Sequence, residues 1–227
     1  MGHADKTGLG AGVYATSEVA RMAHIQTQRV RRWVYGYQLG QRRAAPLVQR
    51  TAERSLSFLD LLEVCFVKAF LDHGVTMHTI RLVQTDAAKE FKTSHPFCTK
   101  RFETDGETII ARHTDETAGV RLLDLKRRQW LIREVFNPLL KQIDYDKASL
   151  DAERWWPMGK ARPVVIDPQR GFGAALVSRS RVPTRALYAA HRGGQSPKEI
   201  ADWYEVELDE VRAAIEFEKS IDRQLAS

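Results

Sequence analysis

The segment 26–36 constrains the fold most strongly, because apolar residues recur in it at helical spacing within a basic stretch. Trp33 and Val34 follow Val30 by three and four residues, so the three side chains share one face of an α-helix. Gly36 then ends the predicted helix. The remaining faces carry three arginines, Arg29, Arg31 and Arg32. We therefore predict a short helix with one buried face and a basic outer surface.

The excess positive charge of the chain lies around this helix. Residues 1–55 carry nine Lys or Arg and three acidic residues, a net charge of +6 that equals the charge of the whole chain. The remaining residues therefore sum to zero. A basic patch on a neutral body predicts a polyanionic partner, because phosphate neutralisation provides most non-specific affinity for nucleic acids. The alternative is a solvated basic face without a partner.

Length and hydropathy predict a cytoplasmic protein of two or three small domains. The chain has 227 residues, and domains usually hold about 100–150. No apolar run reaches the roughly 18–20 residues that span a bilayer, and the polar stretch 1–12 lacks the apolar core of a signal peptide. Because the cytoplasm is reducing, we expect Cys65 and Cys98 to be free thiols and not a disulfide.

Further along, the spacing of apolar residues predicts a mainly α-helical chain with a minor β component. Thr16 is expected to cap a helix that runs to Ala23, so that a helix pair with a tight turn is formed, the arrangement that places a helix in the DNA major groove. A hairpin or loop is expected over 37–50. The other predicted elements are helices 57–73 and 76–91, a hairpin of 100–103 with 108–112 around Asp105-Gly106, a helix 125–143 kinked at Pro138, an irregular stretch 144–168, and three short helices over 183–191, 196–204 and 208–221.

The residues that catalysis or metal binding would require do not form a recognisable pattern. The chain has no phosphate-binding glycine loop, no nucleophile elbow and no HExxH motif. The seven histidines are scattered, and Cys65 and Cys98 lie far apart. We therefore expect no catalytic site, no metal site and no cofactor.

The N-terminal segment resembles the DNA-binding domain of the MerR superfamily of winged helix-turn-helix regulators. Glu18-Val19-Ala20 matches the first helix of that domain, 29–33 stands where the family has T-I-R-Y-Y, and Gly36 falls at its closing glycine. The later stretch 73–80 is similar to the start of the family's next helix pair. The resemblance implies a winged helix-turn-helix in which Arg31 takes the position of the DNA-contacting arginine. Arg29 and Arg32 depart from the family, which has threonine and tyrosine there.

The C-terminal stretch 164–217 resembles domain of unknown function 433, which occurs in a VapB-type class of type II antitoxins. The matching motifs are Ile166-Asp167-Pro168, Arg181-Val182-Pro183, the stretch 194–204 and the stretch 211–217. Ala174-Ala175 and Arg179-Ser180 depart from the Lys-Pro and Gly-Thr of that pattern. The resemblance implies an antitoxin whose partner is a toxin with a PIN-like RNase fold.

From these readings we expect four segments: a flexible N-terminus 1–12, a MerR-like winged helix-turn-helix domain 13–94, a central α+β segment 95–160, and a C-terminal three-helix, helix-turn-helix-like antitoxin domain 161–227. The expected contacts with operator DNA are Thr16, Gln26, Thr27, Gln28, Arg29, Arg31, Arg32, Tyr37, Arg42 and Arg43, with Arg50 as a further phosphate contact.

The expected function is an antitoxin that binds a PIN-like toxin and represses its own operon, as a homodimer on palindromic DNA. Charge makes Arg179, Arg181 and Arg185 the candidate toxin contacts, since an arginine could occupy a carboxylate metal site in the nuclease. The candidate toxin-binding surfaces are the helix 125–143, the C-terminal three-helix unit, or both. Two alternatives remain: a MerR-like regulator that responds to a small ligand, and a protein-interaction scaffold.

Overall fold

The structure, a computed structural model, describes residues 11–40, 42–50, 55–114 and 136–222, and over these it is mainly helical, as predicted. The first elements are the helices α1 (Thr16–Met22) and α2 (Thr27–Tyr35), followed by the antiparallel strands β1 (Tyr37–Leu39) and β2 (Arg42–Ala44). Of the two alternatives expected over 37–50, a hairpin or a loop, the structure has the hairpin.

One detail of α1 corrects the sequence analysis. Its N-cap is Ala15, not Thr16, and the cap is made from the side chain of Glu18. The Glu18 carboxylate accepts a hydrogen bond of 2.8 Å from the Ala15 N–H. A glutamate three residues into a helix can satisfy an unpaired backbone donor even where the N-cap residue has no side-chain oxygen.

Two longer helices follow close to their predicted positions, α3 (Phe58–Asp72) and α4 (Met77–Phe91). Each begins after a hydroxyl-bearing cap. Ser57 Oγ accepts a hydrogen bond of 3.1 Å from Asp60 N–H, and Thr76 Oγ1 accepts one of 3.2 Å from Thr79 N–H. These local caps explain why the sequence located both helix starts.

The hairpin predicted around Asp105-Gly106 is wrong, because this stretch belongs to a helix, α5 (Arg101–Thr114), which follows a 3₁₀ turn at 96–98. Among the residues of α5 whose burial is described, Phe102, Gly106, Ile109 and Ile110 are buried, and their spacing is helical. A Cβ at position 106 would lie 3.1 Å from three ring carbons of Phe102. The glycine therefore accommodates an aromatic ring on a helix rather than a turn between strands.

The irregular stretch predicted for 144–168 is also wrong, because it contributes to a four-stranded antiparallel sheet. Its strands follow each other in the order β3 (Ile143–Tyr145), β4 (Ala152–Trp155), β5 (Val164–Ile166) and β6 (Ala175–Val177). The helix predicted over 125–143 falls mostly outside the described residues. Its last part is the short helix α6 (Asn137–Lys141), which ends before Ile143 begins β3.

Three C-terminal helices are confirmed near their predicted bounds: α7 (Thr184–Arg192), α8 (Pro197–Tyr204) and α9 (Leu208–Asp222). They enclose a small core with Val177 of β6. The main core extends from Tyr14 to Ile221. At its centre five phenylalanine rings pack at centroid distances of 4.3–6.3 Å, namely Phe66, Phe70, Phe97, Phe102 and Phe136. Across the described ranges no helix is long and apolar enough to cross a membrane.

Candidate nucleic-acid interface

The basic helix α2 packs against the core through the face that the sequence predicted to be buried. The buried residues of this helix are Val30, Trp33 and Val34, so its other faces point outward. The turn before α2 is closed by a hydrogen bond of 2.9 Å from Ile25 N–H to the Ala20 carbonyl oxygen. The helix ends at Gly36, whose φ of +73° is in the region that glycine adopts readily. A Cβ there would lie 2.4 Å from the Ala44 carbonyl oxygen, so the hairpin can fold back closely.

An open groove of about 770 Å³ lies between α2, the hairpin and α4. Four of its lining residues are arginines: Arg29, Arg31, Arg32 and Arg81. The others are polar, aromatic or small: Gln28, Trp33, Tyr35, Gly36, Tyr37, Gln38, Ala44 and Met77. Among these described lining residues there is no aspartate or glutamate, so the groove is positively charged along its length.

Three arginines at or near the groove stack on aromatic rings. The guanidinium carbon of Arg29 lies 5.4 Å from the ring centroid of Trp33, and that of Arg32 lies 5.7 Å from the ring centroid of Tyr37. Arg50 lies 4.5 Å from the ring centroid of Tyr35. Stacking of this kind restricts the long arginine side chains.

The hairpin is attached to both neighbouring helices. Leu47 N–H donates to the Trp33 carbonyl oxygen at 2.7 Å and so pairs a carbonyl at the end of α2. Arg81 on α4 donates to the carbonyl oxygens of Ala45 (2.8 Å) and Pro46 (3.3 Å). The orientation of the hairpin relative to α2 is therefore determined by contacts from two directions.

The structure brings together half of the residues predicted to contact DNA. Those that line the groove are Gln28, Arg29, Arg31, Arg32 and Tyr37. Gln26 and Thr27 lie at the start of α2, and Thr16 Oγ1 lies 3.5 Å from the Tyr35 hydroxyl near its end. Arg42 and Arg43 lie in β2, and Arg43 is not among the residues that line the groove.

Seven of the residues that line the groove were not among the predicted DNA contacts: Trp33, Tyr35, Gly36, Gln38, Ala44, Met77 and Arg81. Met77 packs against the main core, but it is only half-buried and also lines the groove. A signal was available, because Met77 and Arg81 are four residues apart and must share a face of α4. The sequence alone does not show that this face of α4 lies against the hairpin.

The three arginines predicted to contact a toxin differ in their surroundings. Arg179 forms ion pairs with Asp209 and Glu210 of α9, and its backbone N–H donates to Glu210 Oε1 at 2.8 Å. The side chain of Arg179 therefore already holds the loop after β6 against α9. Arg181 and Arg185 are exposed. Arg185 lines a shallow cavity of about 520 Å³ together with Arg21, Arg192 and two acidic residues of α9.

The sequence of this chain is similar to one described family and to a relative of known sequence. Residues 164–217 match the sequence family described as "Protein of unknown function (DUF433)", which confirms the C-terminal resemblance. A relative from Mycobacterium tuberculosis (strain ATCC 25618 / H37Rv), named "Putative antitoxin VapB45", is 25% identical over 222 residues, covering 90% of this chain and 92% of the relative.

A solved structure also resembles this chain over most of its length. The crystal structure of Rv2018 from Mycobacterium tuberculosis matches with a TM-score of 0.68 at 22% identity, over 89% of this chain and 96% of that one. At this level of identity the match shows a shared fold. The two sequence matches support an antitoxin-like family for this chain.

Proposed function

We propose that this chain is the antitoxin of a type II toxin–antitoxin system, which binds operator DNA through the groove and neutralises a PIN-like RNase toxin. The single observation that carries the DNA-binding half is the groove itself, which combines four arginines with exposed aromatic rings. The antitoxin half is supported by the name of the relative and by the family match at 164–217. The protein would act by binding and not by catalysis.

In this proposal α1 and α2 form a MerR-like helix-turn-helix, and the β1–β2 hairpin is its wing. Helix α2 would enter the major groove, with Gln28, Arg29 and Arg31 nearest the base edges. Arg42, Arg43 and Arg50 would contact phosphates beside it. Because two-fold symmetric operators require two-fold symmetric proteins, the DNA-binding form would be a homodimer.

DNA binding can be tested with a duplex that spans the region upstream of the gene. We expect affinity to fall steeply with salt, and Arg31→Ala to lower it by about tenfold or more. Arg185→Ala is a matched control, since it removes an exposed arginine distant in sequence from the groove. Equal losses for the two variants, or an affinity that is insensitive to salt, would reject the groove as the DNA site.

For toxin binding, Arg181 and Arg185 are better candidates than Arg179, because the guanidinium of Arg179 is already paired with carboxylates of α9. An exposed arginine can form a bidentate contact with a carboxylate in a nuclease metal site. The test is co-expression with the product of the adjacent gene. We expect the two proteins to co-purify and the toxicity of the partner to disappear. Unchanged toxicity and separate elution would exclude the antitoxin role.

A further inference from the structure

The outer side of α2 carries a glutamine beside its arginines. The buried residues Val30, Trp33 and Val34 fix the rotation of the helix. At about 100° per residue, Gln28 lies about 165° from the middle of that buried face. Gln28 and Arg31 are both exposed and both line the groove. Because they are three residues apart on a helix, their Cβ atoms are about 5–6 Å from each other. The two side chains therefore extend from the protein side by side.

The other arginines and the other glutamine of the groove have contacts within the protein. The arginines that lie over aromatic rings or donate to backbone carbonyls are Arg29, Arg32 and Arg81. Gln38 Nε2 donates a hydrogen bond of 3.2 Å to the Gly40 carbonyl oxygen. Over the residues that the structure describes, no hydrogen bond, ion pair or ring contact is made by the side chain of Gln28 or Arg31. A ligand in the groove would therefore meet these two end groups unoccupied.

The end groups of Gln28 and Arg31 differ in the hydrogen bonds that they can form. The amide of glutamine has an acceptor oxygen beside donor N–H groups, whereas the guanidinium of arginine has five donors and no acceptor. In the major groove of DNA, adenine presents the acceptor N7 beside the donor N6, and guanine presents the two acceptors N7 and O6. Neither pyrimidine presents such a pair of groups. The amide therefore matches adenine, and the guanidinium matches guanine.

We propose that Gln28 and Arg31 determine which DNA sequence the groove prefers, Gln28 by pairing with an adenine and Arg31 by pairing with a guanine of the neighbouring base pair. This inference rests on the proposed binding of duplex DNA by the groove, and it adds the identity of two base pairs. Neighbouring base pairs are about 3.4 Å apart along the duplex. That rise is close enough to the separation of the two Cβ atoms for the long side chains to reach adjacent pairs.

The test uses the full chain and a pool of DNA duplexes with a randomised centre, from which the tightly bound sequences are selected. Fluorescence anisotropy then compares the selected duplex with versions in which one base pair is replaced. We expect the selected sequence to contain an A·T pair next to a G·C pair. Replacing either pair should lower the affinity of the wild type by about fivefold or more. Equal affinity of the wild type for all duplexes would overturn the proposal.

Three variants assign each base pair to a side chain. Gln28→Ala should bind the selected duplex and its A·T-replaced version equally, while it keeps the preference for G·C at the neighbouring pair. Arg31→Gln should show the reverse, with the preference for G·C lost and the preference for A·T kept. Gln38→Ala is the matched control, because that amide is used within the hairpin, and it should keep both preferences.

The outcomes separate this inference from the proposed function. If Gln28→Ala keeps its preference for A·T, if Arg31→Gln keeps its preference for G·C, or if the two variants act at pairs that are not neighbours, the assignment is wrong. Salt-sensitive binding of duplex DNA that is weakened by Arg31→Ala would in that case still support the groove as the DNA site. If the wild type binds no duplex, the inference and the proposed DNA binding both fail.

Discussion

At the scale of single residues, Glu63 on α3 links the stability of the fold to pH. Its side chain is fully buried, and it accepts hydrogen bonds from Gln84 Nε2 (3.2 Å) and Cys98 Sγ (3.3 Å). Burial raises its pKa to about 7, although nearby His95 and the two hydrogen bonds act in the opposite direction. The folded protein therefore keeps this carboxyl protonated at pH values where the unfolded chain has already ionised it.

We expect the free energy of unfolding to fall as the pH rises from about 4.5 to about 8, by on the order of 3 kcal/mol from Glu63 alone. The sign follows because folding takes up a proton between the unfolded pKa near 4.5 and the folded pKa of about 7. His95 acts in the same direction. Burial lowers the pKa of His95, but the hydrogen bond to Asp60 outweighs burial and raises it. Urea unfolding across this pH range measures the effect.

Glu63→Gln is the matched control for this prediction. It keeps the size of the side chain and an acceptor for Gln84, but it removes the titration. We expect its free energy of unfolding to vary less with pH than that of the wild type. If both proteins lose stability equally between acidic and alkaline pH, Glu63 is not the group responsible.

At the scale of secondary-structure elements, Arg81 connects α4 to the proposed wing. Its guanidinium donates to two successive backbone carbonyls, those of Ala45 and Pro46, a geometry that the single ammonium of lysine does not reproduce. We expect Arg81→Lys to lower DNA affinity by about threefold or more with the salt dependence retained. Arg81→Met should lower affinity further and reduce the slope of log affinity against log salt by about one. Fluorescence anisotropy with the upstream duplex measures both quantities.

The comparison of these two variants separates geometry from charge. If Arg81→Lys binds DNA as tightly as the wild type, Arg81 contributes only a positive charge, and the attachment of the hairpin is irrelevant. Urea unfolding of both variants serves as the control. Because the carbonyls can be hydrated once the guanidinium is lost, we expect stability to change by less than about 1 kcal/mol.

The elements that the sequence predicted correctly are those whose signals are local. Helices α2, α3 and α4 have apolar residues at helical spacing and, in the last two, hydroxyl caps at the first turn. The strands β3 to β6 have only three or four residues each, too few for a period, and they exist through pairing with one another. At α5 a strong local turn signal, Asp105-Gly106, was overridden by the packing of Phe102 against the glycine.

The candidate site also combines residues with a local sequence signal and residues that only tertiary contacts bring to it. The arginines of α2 were predictable because their exposure follows from the phase of one helix. Arg81 was not, because its contacts with Ala45 and Pro46 span more than thirty residues.

At the scale of the whole molecule, the N-terminal segment is attached to the C-terminal half by Tyr14. Its hydroxyl donates to the Gly173 carbonyl oxygen at 2.7 Å, and Val13 N–H donates to the Phe172 carbonyl oxygen at 3.1 Å. Gly173 has a φ of +87°, and a Cβ on it would lie 2.2 Å from the Tyr14 hydroxyl oxygen. This contact leaves no room for a side chain.

We expect Gly173→Ala to destabilise the protein by at least about 2 kcal/mol more than Gly194→Ala. Both glycines have positive φ, but a Cβ on Gly194 would meet nothing within 4 Å, so that variant measures backbone strain alone. Tyr14→Phe removes only a hydrogen bond and should cost about 1 kcal/mol. Urea unfolding of the three variants tests this ranking. If the two glycine variants lose equal free energy of unfolding, Tyr14 can move away from a Cβ at position 173 at no cost in stability.

The proposed binding of DNA and of a toxin would use different surfaces, which mutations can test separately. Trp203 on α8 is 77% exposed, although tryptophan is usually well buried and is over-represented in the energetic centres of protein interfaces. We expect Trp203→Ala to leave the free energy of unfolding within about 0.5 kcal/mol of the wild type and to lower affinity for the adjacent gene's product by about tenfold or more, with DNA binding unchanged. Arg31→Ala should show the opposite pattern. Titration calorimetry with the partner and anisotropy with the duplex measure both. If Trp203→Ala binds the partner normally, the toxin contacts another surface of the C-terminal half.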